Sequence, residues 1–323
     1  MFDVITFGSA TKDIFLQAKE TTVISGKDFR TGEGLCFPLG SKVMVDDIYF
    51  TSGGGGTNSA VTFAKQGHNV AYCGKVGDDN AGEGVLKDLE RYGVSNRFVT
   101  RTKEKPTNHS IILDVPERDR TILVYRGASD LHEKKDVPLQ ELEAKWFYLA
   151  PFSDHSQPLF FDLLDYAREK GIGLMANPSK VQLKNEKTRE ALKNIDMVLL
   201  NMEEASILTG ISIENENEII KKSSGYAKEA VLITKGVEGA VAYSKGKYFE
   251  SRPIFPDSTD KTGAGDAFGS GFLSRFIETG SVEKGVQFGI ANATACLQKK
   301  GAKHGILRKG EEFHMSPIEE ISL

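Results

Sequence analysis

From Trp146 onward the 323-residue chain alternates short apolar runs with longer amphipathic ones, and this alternation constrains its fold more than any other feature. Trp146–Ala150, Ile172–Ala176, Met197–Leu200 and Val231–Thr234 have the length and composition of buried strands. Between the first two, Gln157–Lys170 carries Phe160, Phe161, Leu164 and Ala167 at helical spacing, and Gly171 suits its C-terminus. Strands that are apolar along their whole length cannot leave a face in water, so helices must cover both sides. The pattern predicts an α/β fold with a mostly parallel central sheet between helical layers. Val4–Phe7, stopped by Gly8, reads as a further strand.

Two stretches break the pattern. Residues 14–51 are rich in Gly, Thr and Lys and read as short strands and turns. Within residues 101–126, Ser110–Val115, the polar Pro116–Arg120 and Thr121–Tyr125 read as a hairpin. Neither stretch has the apolar content of an independent core. Both are expected to form a small β lid inserted in a single domain that spans residues 1–323.

A net charge of −4 with no concentrated basic run argues against a nucleic-acid partner. The cysteines Cys36, Cys73 and Cys296 are odd in number and show no CxxC spacing, which points to a reducing compartment. The first residues carry Asp3 and no basic segment, and no run approaches the ~18 apolar residues of a membrane helix. The expectation is a cytoplasmic protein without a membrane partner.

Thr262-Gly263-Ala264-Gly265-Asp266 precedes a helical pattern in which Phe268, Phe272 and Phe276 recur every fourth residue until Gly280. The glycines therefore fall at a helix N-terminus, where free N–H groups and the positive dipole end favour an anion. Asp266 in the same turn could accept a proton from a hydroxyl. It could equally be a first-turn acid that complements the dipole. A second glycine run, Gly53-Gly54-Gly55-Gly56-Thr57-Asn58, opens another apolar helix and reads either as a flexible turn or as a loop admitting a polar ligand.

Taken together the two runs discriminate. Asp260-Lys261-Thr262-Gly263-Ala264-Gly265-Asp266-Ala267-Phe268 resembles the C-terminal signature of the ribokinase-like, or PfkB, carbohydrate kinases. The Gly53–Asn58 loop resembles their N-terminal signature, in the same order and about 200 residues upstream. The resemblance covers essentially the whole chain and implies a ribokinase-like three-layer αβα sandwich with a β lid. It also implies phosphoryl transfer from Mg-ATP to a hydroxymethyl group of a sugar or sugar-like molecule. On it, Gly263, Ala264 and Gly265 form an anion hole, Asp266 is the catalytic base, and Asp13, Gly54, Gly55 and Asn58 hold the substrate. Asn201 and Glu204 of Asn201-Met202-Glu203-Glu204 would organise magnesium and the phosphates. Thr234, Gly236 and Gly239 would lie along the nucleotide, and Asn292 would border the adenine. Asp260 and Thr262 would be ligands of a monovalent cation, K+ in many relatives. Relatives also often form homodimers through the lid.

The chain departs from ribokinases in ways that leave the acceptor open. Their Gly-Lys-Gly-Ala-Asn is replaced by Gly54-Gly55-Gly56-Thr57-Asn58, and Pro151-Phe152-Ser153-Asp154 offers no equivalent of their sugar-contacting Glu. An insertion through Gly34–Lys42 alters the lid. A phosphorylated acceptor would need basic lid residues, for which Arg101, Lys103, Lys105 and Arg126 are candidates. A nucleoside kinase and a catalytically silent sugar-binding regulator are the alternative readings. A dinucleotide oxidoreductase is set aside: Gly171–Ala176 matches GxGxxA, but it leaves a helix and enters a strand, the reverse of the order required. There is no GxxxxGK[ST] loop, HExxH or GxSxG.

Overall fold

The structure is a computed structural model and describes residues 1–18, 21–29, 31–115, 120–254 and 260–323. The N-terminal half contains β1 (Phe2–Phe7), β2 (Thr11–Ala18), β3 (Thr22–Ser25), β4 (Glu33–Cys36) and β5 (Val45–Gly53). After them come α1 (Gly55–Lys65), β6 (Val70–Gly77), α2 (Asn80–Arg91), β7 (Ser95–Thr102), β8 (Asn108–Asp114) and β9 (Thr121–Tyr125). The second half alternates β10 (Ala144–Leu149), α3 (Gln157–Lys170), β11 (Gly173–Ala176), α4 (Lys180–Lys184), α5 (Glu186–Leu192) and β12 (Met197–Asn201). It continues through α6 (Met202–Thr209), α7 (Glu216–Ser223), β13 (Ala230–Thr234), β14 (Ala240–Ser244) and β15 (Lys247–Ser251). The chain closes with α8 (Ala264–Thr279), α9 (Val282–Leu297) and β16 (Ile318–Ile321).

The large sheet runs β16-β15-β14-β13-β12-β11-β10-β1-β6-β7. Pairing is parallel from β7 to β13 and antiparallel from β13 to β16. The antiparallel edge was not legible in the alternation, because β14 and β15 form a tight hairpin and β16 arrives from the far C-terminus. Along β10, Phe147 and Leu149 face the core layer of α3, where they meet Leu159, Phe160 and Leu163. Tyr148 faces the opposite layer, with Phe63 of α1 and Phe272 of α8. This period of two, buried on both faces, is what a doubly covered sheet requires.

The lid is a four-stranded sheet, β5-β2-β8-β9, with β3 and β4 as a separate pair. The hairpin expected at residues 107–126 forms as β8 and β9, and of its expected tip, Pro116–Arg120, all but Arg120 lie outside the described residues. Among the described residues no helix is long and apolar enough to cross a membrane.

The chain winds from β1 towards β6 and β7 on one side and from β10 towards β13 on the other, so the winding direction reverses between β1 and β10. Open α/β sheets bind ligands beyond the C-terminal strand ends at such a point. Gly8 and Ser9 leave β1 there, and Ala150 and Pro151 leave β10.

Candidate active site

The two glycine runs meet at this reversal point. Asn58, in the first turns of α1, donates from Nδ2 to Oδ2 of Asp266 in the first turn of α8 at 2.8 Å. Two helix N-termini thus converge on one carboxylate. Burial raises the Asp266 pKa from its ordinary value, against the Asn58 hydrogen bond and the positive charge of Lys303. A carboxyl so placed is a stronger base than one in water. The Asn58 Oδ1 is buried with no protein partner among the described residues, which leaves an acceptor for a ligand hydroxyl.

Gly263 caps α8 in the left-handed region at φ 79°, and a Cβ there would stand 2.3 Å from the Ala302 Cβ. Only glycine lets the chain enter α8 pressed against the Gly301–Ala302 segment. Gly265, in the same first turn, has nothing within 4 Å of where its Cβ would be. No side chain caps this helix, so its first N–H groups face open space. A helix N-terminus without a side-chain cap has the chemistry to hold an anion.

Asp13 lies in β2 between Thr51 of β5 and Ser110 of β8 and is only 4% exposed. A Cβ on Gly53 would come within 2.0 Å of the Asp13 Oδ2, so the first glycine of the run makes room for this carboxylate. Burial pushes the Asp13 pKa up to about 6, opposed by a hydrogen bond from Ser110 and by the charge of Lys303, with Asp260 and Asp266 adding to the rise. A desolvated carboxylate short of donors is suited to sugar hydroxyls. Gly54, at φ 97°, could carry no side chain, because a Cβ would strike the Ser9 carbonyl oxygen at 2.5 Å. Gly55 sits where a Cβ would be 3.3 Å from Asp266 Oδ1, and its N–H donates to the Ser9 Oγ at 3.3 Å. Gly54 and Gly55 therefore seat the loop on β1 and leave the space beside Asp266 open.

Beside this loop is a cavity of about 220 Å³ lined largely by polar side chains, among them Asn108, Arg126, Ser129, Ser153 and Ser156. At the α8 N-terminus a cleft of about 340 Å³ is lined by Thr234, Gly236, Gly239, Ala264, Gly265 and Phe268, with Ala293 and Thr294 of α9. The cleft runs directly onto the α8 N-terminus. Asn201 pairs with Thr234 across β12 and β13 and so stands at the same sheet edge.

Asn201 and Glu204 hold each other in a capping box: the Glu204 N–H donates to Asn201 Oδ1 at 2.8 Å, and the Asn201 N–H to Glu204 Oε2 at 2.9 Å. Burial raises the Glu204 pKa against these bonds. One Glu204 oxygen stays outside the box. No cluster of three or more acidic, His or Cys side chains that could cage a metal occurs among the described residues. The donor set fits a water-rich Mg2+ carried on phosphates and does not fit a cage.

The monovalent-cation expectation does not fit. Asp260 Oδ1 accepts the Thr262 N–H at 2.9 Å and lies 3.3 Å from the Arg120 guanidinium, while Oδ2 accepts the Gly301 N–H at 2.9 Å. Asp260 already has its cation, supplied by the lid. Thr262 Oγ1 is buried and without a partner among the described residues, which alone does not make an ion site.

Asn292 is a second correction. It does not border the cleft: it is fully buried, donating to the Ala267 carbonyl at 2.8 Å and accepting the Leu307 N–H at 3.0 Å. Small residues of α9 let the side chain turn inward and tie α8 to the C-terminal segment; Ala293 and Thr294 face the cleft instead.

The basic lid candidates are mostly spoken for. Arg101 donates to Glu83 at 2.6 Å, Lys103 lies 4.0 Å from Asp78, and Lys105 is 3.1 Å from Asp130. Arg126 lines the smaller cavity. Sequence reasoning missed Lys303, which is 1% exposed and donates to the Ser52 Oγ at 2.8 Å. Nothing local marks it, since an isolated lysine after a helix is ordinarily solvated.

Comparison with known proteins agrees with this geometry. Residues 31–309 match the model of the pfkB family carbohydrate kinases. The chain is 28% identical to a ribokinase of Haemophilus influenzae over 80% of its own length and 85% of that protein. Its fold is similar to that of Arabidopsis thaliana ribokinase complexed with ribose and ATP, with a TM-score of 0.77, 22% identity and coverage of 95% and 96% of the two chains. Adenosine kinase from Sinorhizobium meliloti is similar to the same degree, with a TM-score of 0.77, 22% identity and coverage of 94% and 95%. The architecture is the ribokinase-like αβα sandwich, and with most of its length matched by the family model, the chain belongs to the pfkB family of carbohydrate kinases.

Proposed function

We propose that this kinase transfers the γ-phosphoryl group of ATP to a hydroxymethyl group of a neutral sugar, with Asp266 as the base. The observation that carries the reading is the 2.8 Å hydrogen bond from Asn58 to Asp266, which joins the two glycine loops around one carboxylate. Asp13 and Asn58 hold acceptor hydroxyls beside Asp266. The acceptor oxygen forms a bond to the γ-phosphorus, its proton passes to Asp266, and the bond to the ADP oxygen breaks. The N–H groups of Gly263, Ala264 and Gly265 take the charge that develops on the phosphoryl oxygens. Glu204 and Asn201 would be the protein partners of a magnesium ion, which when bound would neutralise the triphosphate. The ribose and ATP bound in the Arabidopsis relative support this assignment of a nucleotide cleft and a sugar pocket.

A neutral acceptor is favoured over a sugar phosphate. Asp13, Asp266 and Lys303 together carry one excess negative charge when all are ionised, and three of the four basic lid candidates are paired with acids. The polar lining of the smaller cavity, with Asn108, Ser129, Asp130, Ser153 and Ser156, also suits hydroxyls better than a nucleobase. A second copy of the chain on the lid would cover the exposed Ile48, Phe50, Leu123 and Val124. The test is turnover on ribose, fructose, 2-keto-3-deoxygluconate and adenosine, with Asp266→Asn alongside. The substitution is expected to lower kcat about 10²–10⁴-fold. Turnover by Asp266→Asn close to the wild type would sink the mechanism, and ADP release with adenosine alone would move the enzyme to the nucleoside branch.

A further inference from the structure

Lys303 follows α9 in the same Gly301–Ala302 segment that presses on Gly263, so the loop that shapes the α8 N-terminus also delivers a buried ammonium. Its backbone is anchored from α1, since the Lys65 Nζ donates to the Lys303 carbonyl at 2.7 Å. Its own Nζ donates to Ser52 Oγ in β5, one strand position from Gly53. An ammonium has three N–H donors, and Ser52 takes one. Burying such a group is costly unless charge of the opposite sign is near. Asp88 on α2, then Asp13 on β2 and Asp266 on α8, supply it, while Lys65 on α1 and Asp260 before α8 are the other charged neighbours of this cluster.

The arrangement solves a problem set by the mechanism. Asp13 and Asp266 are two buried carboxylates of the proposed acceptor site; burial raises the proton affinity of each, and Asp266 adds to the rise at Asp13. Without a cation near them one would more readily take up a proton near neutrality. It would then donate a hydrogen bond where the substrate needs an acceptor, or it would lose its capacity as a base. We propose that Lys303 is a positioning residue for the acceptor site: from its seat on Ser52 the buried ammonium keeps Asp13 and Asp266 ionised together. The inference rests on the roles given above to Asp13 and Asp266. Burial draws the Lys303 pKa down to about 8 and pushes that of Asp13 up to about 6, so Lys303 and Asp13 carry opposite charges between those two values, while burial also raises Asp266 against the charge of Lys303.

The charge coupling can be read without turnover. Carboxyl ¹³C NMR of the full chain, labelled at aspartate and assigned with Asp13→Asn and Asp266→Asn, gives the titration of each acid. Lys303→Met and Lys303→Gln, the second keeping a donor for Ser52, are expected to raise the Asp13 midpoint by a unit or more, about tenfold in its ionisation ratio. Lys303→Arg should stay near the wild type. In kinetics with ribose or fructose, the acid limb of kcat/KM should move up in pH in both neutral variants. Their loss at neutral pH should recover on raising the pH, and the alkaline limb near 8 should vanish. A merely structural lysine would lower activity equally at all pH values. Unmoved carboxyl titrations in a folded Lys303→Met or Lys303→Gln would overturn the inference. Moved titrations beside an active Asp266→Asn would instead overturn the assignment of the base.

Discussion

Gly263 and Gly265 stand two residues apart in one helix turn, yet the structure assigns them opposite sensitivities. At Gly263, alanine adds a Cβ 2.3 Å from the Ala302 Cβ and 2.9 Å from its Cα, at a backbone φ of 79°. The left-handed conformation costs a residue with a side chain about 1–2 kcal/mol. Forcing the methyl against a neighbour that is backbone-anchored adds roughly 1–3 kcal/mol. Gly263→Ala should therefore lose about 2–5 kcal/mol, a fall in Tm of roughly 4–10 °C at about 2 °C per kcal/mol for a chain of this size. Gly265→Ala meets nothing within 4 Å and sits in helical backbone, so it should be neutral or gain about 0.5–1 kcal/mol. Its methyl instead occupies the approach to the helix N-terminus, and kcat/KM should drop by about tenfold or more, as when an anion-hole contact is lengthened. Differential scanning calorimetry and steady-state kinetics on both variants decide the matter. A Gly263→Ala protein as stable as the wild type, or a Gly265→Ala enzyme with undiminished kcat/KM, would refute the reading of this turn as an open anion site.

Gly53→Ala puts a methyl 2.0 Å from Asp13 Oδ2, so it should raise the acceptor KM about tenfold or more while the KM for ATP holds, measured in paired titrations. Asn292→Ala removes two buried hydrogen bonds and leaves the Leu307 N–H unpaired; it should cost about 1–3 kcal/mol in denaturant unfolding with the KM for ATP unchanged, and a selective rise in that KM would restore the adenine contact. Asp13 has a folded pKa of about 6 against an ordinary 3.8, so the native state binds the extra proton and stability falls as pH rises from about 4 to 6. The fall amounts to up to about 3 kcal/mol and should be absent in Asp13→Asn, followed by thermal melts across that range. Because the lid's Arg120 already pairs with Asp260, turnover should be the same within about twofold in potassium, sodium or a bulky organic cation, and strict dependence on potassium would show the pair opens.

The alternation of strands and helices after Trp146 and the position of the Gly263–Gly265 run at a helix N-terminus were legible in the chain because both are local. Strands such as Met197–Asn201 are apolar throughout, and a residue's place in a helix turn follows from its neighbours. The helix from Ala264 to Gly280 was readable from three phenylalanines and two glycines for the same reason. What the tertiary structure decided is which side chains share a space. Asp13, Ser52, Asp266 and Lys303 lie on β2, β5, α8 and the loop after α9, and no periodicity links them. Asn292 turns into the core because Ala267 and Leu307 offer their backbone groups there, whereas its own helix would have allowed it to face the cleft. Arg120 reaches Asp260 across 140 residues of chain. Charges and hydrogen bonds act through space in a low-dielectric interior, so the ionisation of Asp13 and Asp266 responds first to burial and then to hydrogen-bond partners and the charge of a lysine remote in sequence.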